Sequence, residues 1–238
     1  MTKTDVKSRY YPYIKVQEGN YNFRQFAEFP RMICDYLIDA PQNDYIPPDD
    51  NAYPRARLWK YLYYDEARPL DKALPNITKK MSVLFDPEKP ENPPTDKGYR
   101  LIPQQWIAPA QDTAQTRIYV YMGRTLPSRS DYIFSASVVF DIFTNYEYEL
   151  NMKSREYSRS GAIAASLVEA LNGVNMTGIG TFSMSKQTHA DCGTNPLYDQ
   201  KTNVGIRLII GLDMATAEQN VTDTDNAPIL NSGTIKLA

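Results

Sequence analysis

The second half of the chain repeats apolar side chains at every second position, and this pattern limits the folds open to it. In the segment 203–212, one side is entirely apolar and carries Val204, Ile206, Leu208, Ile210 and Leu212. Because successive side chains of a β-strand point to opposite faces, the pattern predicts a strand with one face in a hydrophobic core. The segments 117–122, 132–143 and 179–185 alternate in the same way. We therefore expect about four strands.

One helix is predicted between the second and third of these strands. It runs from about Glu156 to Asn172, carries an apolar stripe of Ile163, Leu167 and Leu171, and meets its stop at Gly173. Short connections favour antiparallel pairing, with the helix covering one face of the sheet. The sequence thus predicts an α+β fold in which a small antiparallel sheet is packed by one main helix, within residues 117–212.

The first half, residues 1–116, is aromatic and rich in proline, and we expect it to be irregular with short helices. One helix is predicted to end near Asp39, with Phe26, Phe29, Ile33 and Leu37 spaced three or four residues apart. A second contains Leu58 and Leu62 on one face, with Pro54 at its start.

Proline-rich stretches separate these helices from the strands. The stretches at 40–54 and 86–96 are expected to be surface loops, because proline removes backbone donors and fixes φ. The polar, threonine-rich tail at 213–238 has no periodicity, and we expect it to be an extended C-terminal arm. The chain, 1–238, is interpreted as a single domain made of these three parts.

The charge balance argues against nucleic acid as a partner. The chain has 26 basic and 28 acidic residues, a net charge of −2, and so no excess of cations to follow a phosphate backbone. It has no run of 18 apolar residues and no signal-like start, which predicts a protein that is made in the cytosol and needs no membrane. Cys34 and Cys192 are far apart in the sequence and provide no disulfide framework.

The sequence contains few residue patterns that carry chemistry. His189 is the single histidine, so most zinc sites and catalytic triads are excluded, and its HxxC spacing to Cys192 is interpreted as part of a plain surface loop. Cys34 lies where a helix would bury it, which predicts an inert thiol. Neither a GKS or GKT phosphate loop nor a GxSxG elbow is present. We therefore predict no catalytic, cofactor-binding or metal-binding residue, and no enzyme.

Aromatic and basic residues are the candidates for contacts with other proteins. The chain has 18 tyrosines, whose rings bury area at small entropic cost while the hydroxyl group can still reach a partner. Ordinary strand packing explains many tyrosines equally well. The predicted subunit or partner contacts are Trp59, Tyr61, Tyr63, Tyr119, Tyr121, Arg155 and Arg159.

The arrangement of these segments resembles tailed-phage tail terminators and related head-tail joining proteins. The resemblance rests on LWKYLYYD at 58–65, IFSASVVFDIF at 133–143, REYSRSGAIAASLVEALNG at 155–173, GIGTFSMSK at 178–186 and NVGIRLIIGLDM at 203–214. It implies a small α+β fold in a ring, a hexamer or dodecamer, that caps the tail tube at its head-proximal end. The implied partners are further copies of the chain, the tail tube protein and the connector or adaptor proteins, and the implied location is the tail or neck of the virion.

Two alternatives of other classes follow from the residues. One is a cytosolic enzyme that uses a carboxylate pair in a cleft between the two halves, because Asp49, Asp50, Glu147 and Glu149 supply adjacent carboxylates. The other is a monomeric module whose tyrosine-rich loops bind a peptide or a glycan.

Overall fold

The computed structural model describes residues 27–38, 50–87, 98–105, 115–127, 133–150, 152–153, 158–176, 179–198 and 202–215. Within these ranges the helices are α1 (Phe29–Ile38), α2 (Pro54–Tyr63), α3 (Ile77–Ser82), α4 (Tyr146–Leu150) and α5 (Arg159–Leu171). The strands are β1 (Leu101–Ile102), β2 (Arg117–Pro127), β3 (Ile133–Asn145), β4 (Asn175–Met176), β5 (Gly180–Ser183), β6 (Gly193–Tyr198) and β7 (Asn203–Ala215). Most of the predicted C-terminal arm lies outside the described residues.

The strands form one sheet in the order β1-β2-β3-β7-β5-β4, with β6 also paired to β7. Strands β3 and β7 are antiparallel along their full length, from Ile133 opposite Ala215 to Asn145 opposite Asn203. The other edge of β7 is shared, because β5 pairs with its C-terminal part and β6 with its N-terminal part. Only β1 and β2 are parallel among the named strands.

One face of the sheet forms one side of the hydrophobic core. The side chains that alternate onto this face have no exposed surface, and they include Val120, Val138, Phe140, Leu208 and Ile210. Helices α1 and α5 pack on this face, and α2 packs against α5. The predicted α+β arrangement of a mainly antiparallel sheet with a packing helix is confirmed.

The main helix begins and ends where its sequence provides caps. The Ser158 hydroxyl group accepts a hydrogen bond of 2.9 Å from the backbone N–H of Gly161, which satisfies a donor that the first helical turn leaves free. Beyond the last turn, Gly173 has φ of +82°, a conformation that residues with a Cβ atom rarely adopt. The predicted stop at this glycine is confirmed.

The sheet is larger than the sequence predicted, with seven strands in the described part of the chain instead of about four. Strand β6 was missed because Pro196 marks its sequence as a loop. A proline fits an edge strand, where its missing N–H takes no bond from the sheet. Strand β2 also continues past Gly123 to Pro127, through a shift of register between Met122 and Thr125 that is typical of a β-bulge.

The first half of the chain packs directly onto the second. Trp59 of α2 is fully buried, and its indole N–H donates to the backbone oxygen of Leu37 at 2.7 Å. The Tyr36 hydroxyl group donates to the backbone oxygen of Ala170 in α5. Side chains of α1, α2, α5 and the sheet belong to one hydrophobic cluster. The core is therefore shared by residues on both sides of position 116.

None of the helices in the described ranges is long and apolar enough to span a membrane.

Candidate functional site

Most of the predicted contact residues lie inside the protein. Trp59, Tyr61 and Arg159 have no exposed surface, while Tyr63 is 8% and Tyr119 5% exposed. A side chain without exposed surface cannot touch a second molecule, so these residues stabilise the chain that contains them. Of the other two, Tyr121 is half-buried on the sheet face opposite the helices, and Arg155 lies outside the described residues.

Arg159 is buried because its guanidinium group binds the end of another helix. It donates to the backbone oxygens of Tyr61 and Tyr64 at the end of α2, and also to those of Glu66 and Tyr148. A cation is favourable there, since the last carbonyl groups of a helix have no partner within it. Burial lowers the pKa of Arg159 from its usual value.

Arg100 reaches the same helix end from a different part of the chain. Its guanidinium group donates to the backbone oxygen of Leu62 at 2.8 Å and forms a bidentate ion pair with Asp65. Lys80 repeats the arrangement at α1, where its ammonium group donates to the backbone oxygen of Ile38 and lies 5.5 Å from the centre of the Trp59 ring. The burial of Arg159, Arg100 and Lys80 is therefore explained by the helix ends that they bind. None of the three indicates a binding site for another molecule.

The HxxC segment is a loop in which the His189 and Cys192 side chains are buried, while Ala190 and Asp191 between them are exposed. His189 is 1% exposed, and its Nδ1 atom accepts a hydrogen bond from the backbone N–H of Asp191, while Nε2 has no partner. The segment covers Gly211, where an added Cβ atom would contact Thr188, His189 and Cys192. The described residues contain no cluster of three metal-binding side chains.

Asp141, which is buried, and Glu149, which is half-buried, are each held by hydrogen-bond donors. Asp141 has no exposed surface and receives two hydrogen bonds from Arg207, at 2.7 and 2.8 Å, and one from the Tyr121 hydroxyl group at 2.9 Å. The carboxylate and hydrogen bond of Asp141 raise the pKa of Tyr121, although desolvation by burial is the largest cause. Glu149 accepts from the hydroxyl groups of Ser158 and Ser160 and from that of Thr144.

A shallow groove of about 400 Å³ lies between α2 and α5. It is lined by small residues of α5, among them Gly161 and Ala165, and Arg57 and Glu169 form an ion pair at its side. The small size of Gly161 is explained within the chain, because an added Cβ atom would lie 3.0 Å from the Ser158 hydroxyl group that caps α5.

Large apolar side chains are exposed at one end of the sheet. Tyr198 at the end of β6 is 73% exposed, Leu150 of α4 is 60% exposed and Tyr146 is 55% exposed. They lie at the same end of the sheet, because β6 pairs with β7 up to Val204 and the backbone N–H of Tyr146 donates to the oxygen of Thr202. Glu147 of α4 is exposed as well. We call Tyr146, Glu147, Leu150 and Tyr198 the β6 patch.

A second exposed surface lies on α3. Ile77 is 54% and Met81 44% exposed, and their spacing of four residues places them on one face of the helix. Lys79 is exposed as well, but it is two residues from each of them and lies on the opposite side of the helix, and its backbone N–H donates to the Asn76 side chain at 2.9 Å. We call Ile77 and Met81 the α3 patch.

The α3 patch and Tyr198 of the β6 patch lie beside opposite edges of the sheet, whereas the α4 residues of the β6 patch follow the end of the interior strand β3. Helix α3 is followed by Leu84, which bridges to Leu101 in β1, and β1 is separated from β6 by β2, β3 and β7. Four strand spacings correspond to about 19 Å. The two patches therefore lie on different parts of the surface of one copy.

The comparisons with known proteins agree with the extent of this fold. The model of the YomW family matches residues 56–210, a segment that starts in α2, ends in β7 and includes both patches. No curated protein and no solved structure matches the chain. Since the matched segment covers more than half of the 238 residues, the chain belongs to the YomW family, a phage-derived family of proteins.

Proposed function

We propose that the chain is a structural virion protein of a tailed phage. It forms a ring at the neck or at the head-proximal end of the tail, as a tail terminator or head-tail joining protein does. The ring caps the tail tube and offers a surface to the connector of the head. Membership of a phage-derived family supports the viral setting, and the resemblance of the sheet and helix segments to these proteins supports the role.

The observation that carries the proposal is that large apolar side chains are exposed at two separate places on one copy, on α3 beside β1 and around the end of β3 and β6. Scattered apolar residues are common on protein surfaces, but clustered large ones mark places where proteins associate. A surface that binds a different surface of the next copy produces a closed ring whenever the rotation between copies returns to the start.

The buried side of the sheet suits a subunit that bears load. Strands β3 and β7 pair over their whole length, and helix α5 covers the apolar face that they share. The patches extend from this core on α3, α4 and the end of β6, so an interface formed there joins rigid elements.

Mass measurement and microscopy test the proposal with the full chain. Light scattering on the purified protein, alone and mixed with tail tube and connector proteins of the same phage, is expected to give a hexamer or dodecamer, and negative-stain images are expected to show rings. Mass spectrometry of purified virions is expected to find the chain. A protein that stays monomeric with all partners and is absent from virions would overturn the proposal.

A further inference from the structure

We infer that the Asn172–Gly173 peptide is a site of spontaneous deamidation, and that local opening between the end of α5 and β5 controls the rate of this modification. The reaction consumes one water molecule and needs neither an enzyme nor a second protein. The inference is independent of the proposed ring, so either can hold without the other.

The pair of residues at the end of α5 has the composition that this reaction requires. Positions 172 and 173 are the single Asn–Gly pair of the chain. Asparagine is among the thermally labile residues of proteins, and a following glycine has no Cβ atom to keep its backbone nitrogen away from the asparagine side chain. Asn172 and Gly173 are both exposed, so water and hydroxide can reach them.

The reaction starts at the backbone nitrogen of Gly173. This nitrogen gives its proton to hydroxide and attacks Cγ of Asn172, and the new bond closes a succinimide ring. The bond from Cγ to the side-chain nitrogen breaks, and that nitrogen leaves as ammonia after it takes a proton from water. One water molecule then opens the ring. Attack of this water at Cγ gives an aspartyl residue, and attack at the backbone carbonyl carbon gives an isoaspartyl linkage.

Hydrogen bonds from β5 and from the residue after it hold both reacting groups in the folded chain. The Gly173 N–H donates to the backbone oxygen of Phe182 at 2.8 Å, so the proton that must leave is bound. The Oδ1 atom of Asn172 accepts from the backbone N–H of Met184 at 2.9 Å. Asn172 also has an extended backbone with ψ of 122°, whereas ring closure requires its Cβ atom to eclipse the Gly173 nitrogen. These contacts must therefore open before the ring can close.

The strands that make these contacts are short and lie at one end of the sheet. Strand β5 pairs with β7 through Thr181, Phe182 and Ser183, and the two-residue strand β4 pairs with β5. Strands β3 and β7, by contrast, pair over their whole length. Short segments at the edge of a sheet open at a lower free energy than its central strands. Opening of β4 and β5 therefore frees the Asn172–Gly173 peptide without global unfolding.

Both products weaken the junction of α5 and β5. Each adds a negative charge at the C-terminal end of α5, where the helix dipole favours cations. The isoaspartyl linkage also passes the backbone through Cβ of residue 172, which lengthens the chain and displaces the Gly173 N–H from Phe182. Modified copies are therefore expected to be less stable than newly made ones.

Peptide mapping by mass spectrometry tests the site in the full chain. Loss of the Asn172 amide at mildly alkaline pH is compared between the folded chain and the chain unfolded in guanidinium chloride. The unfolded chain is expected to react at least about tenfold faster, which corresponds to an opening free energy of about 1.4 kcal/mol. Asn175 is the reference in the same region, because Met176 follows it and its side chain hinders the attack. Asn172→Gln is the matched control and is expected to abolish the signal, since the longer side chain closes a ring much more slowly.

Two substitutions of buried residues separate local opening from global unfolding. Phe182→Leu loosens β5, whereas Val83→Ala loosens the packing beside β1, at the other end of the sheet. Phe182→Leu is expected to raise the deamidation rate of the folded chain about tenfold, and Val83→Ala is expected to change it by less than about twofold. Circular dichroism verifies that both variants are folded, and thermal unfolding measures the stability that each has lost.

Hydrogen exchange measures the opening in the wild type, without any substitution. The Gly173 and Met184 amides are expected to exchange more slowly in the folded chain by about the same factor as deamidation is slowed. Deamidation at Asn172 that is equally fast in the folded and unfolded chains, or that occurs in neither, would overturn the inference. Equal acceleration by Phe182→Leu and Val83→Ala, or free exchange of both amides, would overturn control by local opening. All these measurements leave ring assembly untouched, because light scattering tests it separately.

Discussion

The guanidinium group of Arg159, the first residue of α5, donates a hydrogen bond of 2.8 Å to the backbone oxygen of Tyr61 in α2. Arg159 has no exposed surface, and its other donors reach the backbone oxygens of Tyr64, Glu66 and Tyr148. The helix that precedes the sheet is thus held by a residue from the second half of the chain.

Arg159→Met is expected to lower the free energy of unfolding by about 3 kcal/mol. The substitution keeps most of the apolar stem but leaves several buried carbonyl groups without a donor, each at a cost of about 1 kcal/mol or more. Urea unfolding followed by circular dichroism measures the change. Arg31→Ala is the control, because its ion pair with Asp35 is exposed and its loss is expected to cost less than about 0.5 kcal/mol. Equal effects in both variants would contradict the assigned role.

Gly205→Ala is expected to destabilise the central strand pair. An added Cβ atom would overlap the backbone oxygen of Ile142 in β3, so the β3–β7 pairing must shift or the variant fails to fold. The expected loss is about 3 kcal/mol or more, as for other severe steric conflicts in a core. Gly173→Ala is the matched control: its φ of +82° costs about 1 kcal/mol, but nothing lies within 4 Å of the new atom. Thermal unfolding that ranks Gly173→Ala as the more damaging change would refute this.

Tyr121→Phe is expected to change how stability depends on alkaline pH. Burial and Asp141 raise the pKa of Tyr121 above its usual value of 10.0, so the folded chain keeps this proton where the unfolded chain releases it. The contribution of the Tyr121 hydroxyl group to the free energy of unfolding is therefore fully present below pH 10. It is lost as pH rises above 10, by at most about 1.4 kcal/mol per pH unit.

The phenylalanine variant isolates that contribution from the other tyrosines. Near neutral pH it is expected to be about 1 kcal/mol less stable than the wild type, because the hydrogen bond to Asp141 is lost. The difference in free energy of unfolding should shrink as pH rises above about 10, because the folded wild type then keeps a proton on Tyr121 that the unfolded chain releases. Urea titrations at several alkaline pH values measure it, and a difference that grows with pH would disprove the assignment.

Both cysteines are expected to resist thiol reagents in the folded protein. Cys34 has no exposed surface and Cys192 is 6% exposed, and burial raises the pKa of each thiol. The thiolate is the reactive form, so labelling by a disulfide reagent should be slow in buffer and should reach two thiols per chain in denaturant. Rapid reaction of one thiol under native conditions would show that its surroundings open.

Strands β3 and β7 and the main helix were predictable because each has an apolar face that is buried over the middle of the element. Alternation identified β3 and β7, and the spacing of Ile163, Leu167 and Leu171 identified α5. Strand β6 could not be found in this way, because its exposed residues and Pro196 have no apolar alternation. It is a strand because β7 offers it a free edge, which only the folded sheet reveals.

The predicted contact residues show a different limit of sequence reasoning. Tryptophan and arginine are residue types that are common in interfaces. Trp59 and Arg159 nevertheless bind the backbone oxygens of Leu37 and of Tyr61, on elements distant in sequence. Every residue has a backbone oxygen, so the sequence does not show which one a tryptophan or an arginine will bind. The burial of these side chains could therefore not be predicted from the sequence. The exposed patches were equally hidden, since Ile77 and Met81 differ in no local pattern from core residues.

The hydrogen bond from Arg159 to Tyr61 can form only late in synthesis on the ribosome. Tyr61 is synthesised 98 residues before Arg159, and chains grow at about 5 to 20 residues per second. For several seconds, therefore, the carbonyl groups at the end of α2 lack the Arg159 guanidinium group that binds them in the folded protein. During that interval the apolar face of α2 has neither the sheet nor α5 to cover it. We therefore expect the yield of folded protein in a cell to depend on how quickly translation passes the segment that encodes α5, against which α2 packs.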